Sequence, residues 1–274
     1  MQTTGVVQQK GGVGKSGLSV GVAGALAERG RRVLLADVDP QGHASAVALK
    51  IPRIPQDRPS LAAWLAGDWD GPVRDLVVRH STTPAGGCID VLPTSLRMFT
   101  AARDLDKRPD RERQLGRLLQ ELAGFYDEAL LDSPPALDIL TDNVIAASDG
   151  LLIPVQPDDT SIEALRILFG QIRALERALR RPPARLHGLV PGMFRRPLSL
   201  IDQSVMAELH KINDIPVLAE LPLAAVVKEA WRAGTPVPLF ERAVETHSAA
   251  AYRAVADVLD RAAGRVIDGE VVRA

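Results

Sequence analysis

An α/β fold is predicted for this chain: a mostly parallel central sheet flanked by helices on both faces. Short β-branched or leucine-rich runs recur along its 274 residues, and each is followed by a stretch with helical spacing. Runs such as Arg32–Val38 (RVLLADV) lack polar alternation, the mark of a strand buried on both faces. Strands that alternate with helices of this length form βαβ units, and these build a parallel sheet.

Taken in order, Thr3–Gln9 is the first predicted strand and leads into a helix over Ser16–Glu28. Arg32–Val38 is the second. The stretch Pro52–Pro84 is rich in Pro, Gly and Trp and reads as an excursion with one or two short helices. Cys88–Pro93 and Asp127–Asp132 follow as strands, with a helix over Asp110–Ala123 between them. Gly150–Val155, Leu186–Val190 and a short Val217–Leu221 complete the strands. Further helices are predicted over Ser161–Arg180, Ser199–Ile212, Ala224–Ala233 and Glu245–Ala263. No linker divides the chain, so residues 1–264 are expected to form one domain and 265–274 a tail.

Composition narrows the function classes. With 33 basic and 34 acidic residues, a wholesale polyanion binder is excluded, and any nucleic-acid contact must come from a local patch. The lone Cys88 rules out an internal disulfide framework and a cysteine-rich metal site. No apolar run is long enough to span a bilayer, and the first residues lack a basic-then-apolar signal pattern. A soluble cytoplasmic protein is the expectation.

Three predicted strand ends carry chemistry, and in such sheets ligands gather at the carboxyl ends of the strands. The first is Lys10-Gly11-Gly12-Val13-Gly14-Lys15-Ser16, after the first strand and before a helix. Glycines let successive backbone N–H groups face phosphate oxygens, and the helix N-terminus adds partial positive charge. Lys15 can reach the β- and γ-phosphates, and the Ser16 hydroxyl can ligate Mg²⁺. The usual phosphate-loop pattern has a glycine at position 9; here it is Gln9, and an additional lysine, Lys10, precedes the glycine pair. The second strand end is Asp37-Val38-Asp39-Pro40-Gln41-Gly42, whose carboxylates can orient the attacking water or hold the metal's water shell. The third is Leu130-Leu131-Asp132-Ser133-Pro134-Pro135, an aspartate closing an apolar strand where a diproline stiffens the loop.

KGGVGKS, then VLLADVDPQGHAS, then FYDEALLDSPPALDILTDNVIAASDGLLIPVQP together resemble the ParA/Soj/MinD group of deviant Walker ATPases, over nearly the whole chain. The DPQG and SPP elements and the PVQP strand end are closer to ParA/Soj partition proteins than to MinD. The resemblance implies a single-domain P-loop NTPase over 1–264 that uses ATP and Mg²⁺. It implies a nucleotide site of Lys10, Gly11, Gly12, Val13, Gly14, Lys15, Ser16, Gly17 and Pro222. Lys10 would be the signature lysine reaching the partner subunit's ATP, Lys15 the lysine acting in cis, and Asp39 the residue positioning the water. Ser16, Asp37 and Asp132 would serve the metal. A lysine just before the loop points away from its own β-phosphate, so Lys10 is expected to stay an unpaired charge until a partner's phosphate meets it.

The same resemblance implies an ATP-sandwiched homodimer, nonspecific double-stranded DNA as platform, a ParB-like centromere-binding partner that stimulates slow hydrolysis, and a nucleoid-associated location. Arg195 and Arg196 stand where relatives carry basic contacts. The next family element ordinarily carries two arginines, but here Leu223 and Val226 occupy those places; Lys228 and Arg232, one helical turn apart, are the substitutes. A membrane-associated MinD-like role would need a basic amphipathic C-terminal helix, and the tail with Asp268 and Glu270 lacks one. Metal-cluster enzymes on this scaffold need paired cysteines, which one Cys88 cannot supply. A related positioner of a non-DNA cargo would share every ATPase residue and stays open.

Overall fold

Apolar runs buried on both faces make the central strands. The computed structural model describes residues 1–212 and 214–265, so most of the tail 265–274 lies outside the described residues. The strands are β1 (Gln2–Val6), β2 (Arg32–Asp37), β3 (Val78–Thr82), β4 (Cys88–Leu92), β5 (Glu128–Asp132), β6 (Gly150–Val155) and β7 (Arg185–Pro191). They form one sheet in the order β3-β4-β2-β5-β1-β6-β7, parallel except where β3 pairs antiparallel with β4. Alternate residues of one strand feed opposite layers. Leu34 and Ala36 of β2 join the layer beneath, while Val33 and Leu35 join the layer above.

The upper layer is organised by α1 (Lys15–Glu28), which is apolar on every side and therefore buried. Against it lies α9 (His247–Ala262). The approach is close enough that a Cβ at Gly21 would collide with the Tyr252 ring, and one at Gly24 with Pro236. The lower layer receives α2 (Leu61–Ala66), α3 (Met98–Leu105), α4 (Gln114–Leu122), α5 (Ile139–Ala147), α6 (Ser161–Leu179) and α7 (Leu200–Leu209). On the upper side α8 (Ala225–Arg232) buries only Ala230 fully.

Several expectations need correction. The excursion after Pro52 holds α2 as expected, but it also returns as the edge strand β3. Val217–Leu221 is not a strand; isolated bridges join Val217 to Leu189 of β7 and Leu221 to Gly192 just beyond it. Pro216 and Pro222 bracket it, and neither can donate to a ladder. The helix expected over Asp110–Ala123 begins as a 3-10 turn at Arg111–Arg113, because Asp110 sits at φ 49°. Helices α3 and α5 were not expected.

His187 of β7 lies against Gly150 of β6, 4% exposed, with neither ring nitrogen hydrogen-bonded among the described residues. Burial and the nearby Arg185 push its pKa down to about 4, against a smaller pull from Asp149. An unfolded chain takes up this proton near pH 6.5 and the folded one only near pH 4, so folding stability falls as pH falls between them. Between pH 7.5 and 5 the parent should lose about 2 kcal/mol relative to His187→Leu. Urea denaturation at both pH values checks this, and equal pH slopes would refute it.

Candidate functional site

The carboxyl ends of β1, β5 and β2 lie side by side, because Val6 pairs with Asp132 and Asp132 with Asp37. The chain leaving β1 turns into α1 at this edge, with Gly12 at φ 76° and Gly14 at φ 93°. A side chain at Gly12 would meet nothing within 4 Å, so glycine is required there by backbone conformation and not by space. Among the described residues, none accepts a hydrogen bond from the backbone N–H groups of Gly11 through Gly17. A run of unclaimed amides at the positive end of a buried helix fits the oxygens of a polyphosphate.

Around this loop the side chains take distinct places. Lys15 is buried, and its Nζ donates to the Lys10 carbonyl at 3.1 Å. Burial lowers its pKa, while Asp132 and Asp39 act to raise it. Ser16 Oγ donates to Asp132 Oδ2 at 2.6 Å, and Ser19 Oγ donates to Asp132 Oδ1 at 3.1 Å. Burial, helped by Asp37, pushes the Asp132 carboxyl above the ordinary carboxylate range. Asp37 Oδ2 accepts from Ser45 N at 2.7 Å and Ser45 Oγ at 2.6 Å, and its Oδ1 is buried without a partner among the described residues. Burial raises the Asp37 pKa too. Hard oxygen donors with an unused carboxylate oxygen suit Mg²⁺, which is commonly shared with substrate phosphates and keeps several waters. Asp39 accepts from Gln41 N at 2.9 Å through Oδ1, a turn that fixes its carboxylate beside the loop.

Lys10 departs from expectation. It is not unpaired: its Nζ donates to Asp158 Oδ2, and to Thr160 Oγ1 at 3.1 Å. Partial burial would raise the Asp158 pKa, but hydrogen bonds from Lys10, Thr160 and Ser161 outweigh it and hold the carboxyl below the ordinary range. Two lysines five residues apart thus serve different places, Lys15 the loop and Lys10 the start of α6.

A cavity of about 500 Å³ opens from the glycine loop and is walled on its far side by Val190, Leu221, Pro222, Val227, Trp231 and Tyr252. Pro222 therefore shares a cavity with the loop. Lys228 also borders this cavity, whereas Arg232 does not. Arg195, Arg196, Lys228 and Arg232 are all exposed. Arg196 is paired with Glu220, and among the described residues the other three form no ion pair.

With this geometry, a family model described as an AAA domain matches residues 1–182. The sporulation initiation inhibitor protein Soj of Bacillus subtilis is 31% identical over 236 residues, 86% of this chain and 90% of Soj. The chain belongs to the ParA/Soj family of P-loop ATPases. The chromosome partitioning protein ParA of Caulobacter vibrioides is 33% identical over 238 residues, 86% of each chain. Among solved structures, cobyrinic acid a,c-diamide synthase from Mycobacterium smegmatis with bound ADP and magnesium is 28% identical, with a TM-score of 0.75. That match covers 95% of this chain and 94% of the synthase.

For this ParA/Soj-family ATPase the sequence reading missed Asp158 and Thr160. Their signal was present, since an acid that follows the PVQP strand end must lie near the loop that follows the neighbouring β1. Trp231 and Tyr252 were missed as cavity walls because aromatic residues at helical spacing look the same when they only pack.

Gly14→Ala tests the cradle. At φ 93°, and with Met193 Cγ only 3.4 Å from the new methyl group, alanine costs about 1–3 kcal/mol of backbone strain or shifts the loop. Titration with a fluorescent ATP analogue should show at least about tenfold weaker binding. Unchanged affinity would place the phosphates elsewhere.

Proposed function

We propose that this chain is a partition ATPase that pairs through two sandwiched ATP molecules, holds nonspecific double-stranded DNA in that state, and lets go on hydrolysis. The observation that carries this reading is the separation of the two lysines: Lys15 sits in the loop while Lys10 faces outward onto Asp158 and Thr160. A lysine held outside its own phosphate cradle is available to a second copy's γ-phosphate, and in a two-fold dimer both sites are completed at once.

In this reading residues 1–264 form the ATPase domain. Gly11 through Gly17 take the phosphates, Lys15 neutralises them in cis, and Pro222 borders the space for the base. Ser16 would ligate Mg²⁺ while Asp132 and Asp37 would hold its water shell, and the ion would supply charge neutralisation to the phosphates. Asp39, fixed by its turn, orients the hydrolytic water. Hydrolysis is slow until a ParB-like centromere-binding partner stimulates it, and the working location is the cytoplasm, on the nucleoid.

The DNA surface is drawn from Arg195, Arg196, Lys228 and Arg232. Arg195 and Arg232 are the better contacts, because Glu220 already engages Arg196 and Lys228 lies beside the cavity. These same facts, with Leu223 and Val226 in place of arginines, favour a second reading: a positioning ATPase whose platform is a cargo other than DNA.

Fluorescence anisotropy with nonspecific duplex DNA at low salt, with ATP, ADP and no nucleotide, decides between them. DNA binding should appear with ATP alone and vanish in Arg195→Glu/Arg196→Glu, whose ATP-dependent dimerisation stays intact. An ATP dimer that binds no DNA in any state would favour the second reading. Asp39→Ala should slow hydrolysis by at least about 10²-fold and leave the dimer persistent; normal turnover would show that another group orients the water.

A further inference from the structure

The partners of Lys10 have a chemistry of their own. Asp158 lies just before α6, at the carboxyl end of β6, and β6 is the neighbour of β1 from which the glycine loop springs. Its two oxygens are used differently. Oδ1 accepts from Thr160 N at 3.1 Å, Thr160 Oγ1 at 2.8 Å and Ser161 Oγ at 3.1 Å. Oδ2 accepts from Lys10. A second tie runs alongside, Gln9 Nε2 donating to the Ala164 carbonyl at 3.2 Å, so the start of the loop is fastened to α6 at consecutive residues.

This arrangement is built to open. The Lys10 and Asp158 side chains are 28% and 35% exposed, so the ion pair is shallow and separating it does not strand a charge in an apolar interior. When Lys10 leaves, Asp158 keeps the three donors on Oδ1 and regains water on Oδ2. The Lys10 ammonium has three protons, and a second chain's phosphate that engaged them would displace Asp158 and Thr160. Each copy must therefore give up this contact before the two chains can close on their nucleotides.

We infer that Asp158, with Thr160, is a positioning residue that holds Lys10 within its own chain and competes with the γ-phosphate of a second copy, setting the threshold for ATP-dependent pairing. This rests on the reading of Lys10 as the residue that crosses between chains. The exchange is favoured only when the phosphate offers more negative charge than the single carboxylate it replaces, which a γ-phosphate with its several oxygens does. A diphosphate has no such group to offer, so the contact with Asp158 persists in the ADP state.

Sedimentation velocity of the full chain over a protein concentration series with saturating ATP and Mg²⁺ tests the inference. Asp158→Asn should tighten the dimer about 4- to 25-fold, since one partly exposed ion pair is worth about 2- to 5-fold and a dimer gives up two. Thr160→Val should act in the same direction and more weakly. Reductive methylation of Lys10 in the nucleotide-free chain, read by mass spectrometry, should be faster in Asp158→Asn, a change that a mere brace of the α6 start would not produce. A dimer of unchanged or lower affinity in Asp158→Asn, or unchanged Lys10 reactivity, overturns the inference. Lys10→Ala separates the two levels. If it pairs with ATP like the parent, the crossing role of Lys10 has failed and the inference with it. If it fails to pair while Asp158→Asn pairs like the parent, only the competition has failed.

Discussion

The rest of the site depends on backbone amides, those of Gly11–Gly17, that find no acceptor among the described residues. Unclaimed N–H groups are costly in a folded chain, and a loop free to move would turn them toward water or its own carbonyls. Here the loop cannot relax, because the helix it opens is buried on all sides. Leu18, Val22 and Leu26 lie in the upper layer at 1% exposure or less, and Gly21 and Gly24 bring Tyr252 and Pro236 against the helix. The hydrophobic packing of α1 is what keeps the amides of Gly11–Gly17 in place, so the binding end of the helix is rigid because its other end is core.

Charge is arranged around that frame. Two carboxylates, Asp132 and Asp39, act on one buried ammonium, Lys15, and the strand register sets Asp37 beside Asp132. Burial raises Asp37 and Asp132 above the ordinary carboxylate range, which is the response of acids deprived of water and short of cations. Serine hydroxyls from α1 and from the Ser45 turn satisfy part of the deficit by donating to them. A divalent cation held beside these carboxylates would satisfy the remainder. The electrostatics therefore favour a nucleotide that arrives together with its metal over one that arrives alone.

Much of this was legible in the sequence. Val33, Leu34 and Leu35 without alternation mark a strand covered on both faces, and such strands have few ways to be placed. The glycines and lysine of residues 11–15 announce their backbone conformation by residue type. What escaped depends on contacts between distant residues. Asp158 and Lys10 are 148 positions apart, and only the β1–β6 pairing brings them together. The unpaired state expected for Lys10 was an inference about the neighbours of a side chain, and those are supplied by topology. The edge strand β3 was hidden by half-exposed residues with weak alternation, Val78 through Thr82. Helix α5 was hidden because its apolar run, Val144 to Ala147, reads equally well as strand.

The two flanks of the sheet close off one mode of self-association. On one side β3 runs antiparallel, carries a register irregularity between Arg79 and Ser81, and places the exposed Arg79 along the rim. On the other side β7 is covered by the proline-bracketed segment that meets it at Leu189 and at Gly192, just past its end. An interrupted rim with a charge on it, and a covered rim opposite, give an incoming strand no continuous ladder to extend. Edge-to-edge pairing of two copies is thereby disfavoured, whereas the face where the nucleotide loop opens is not a sheet edge.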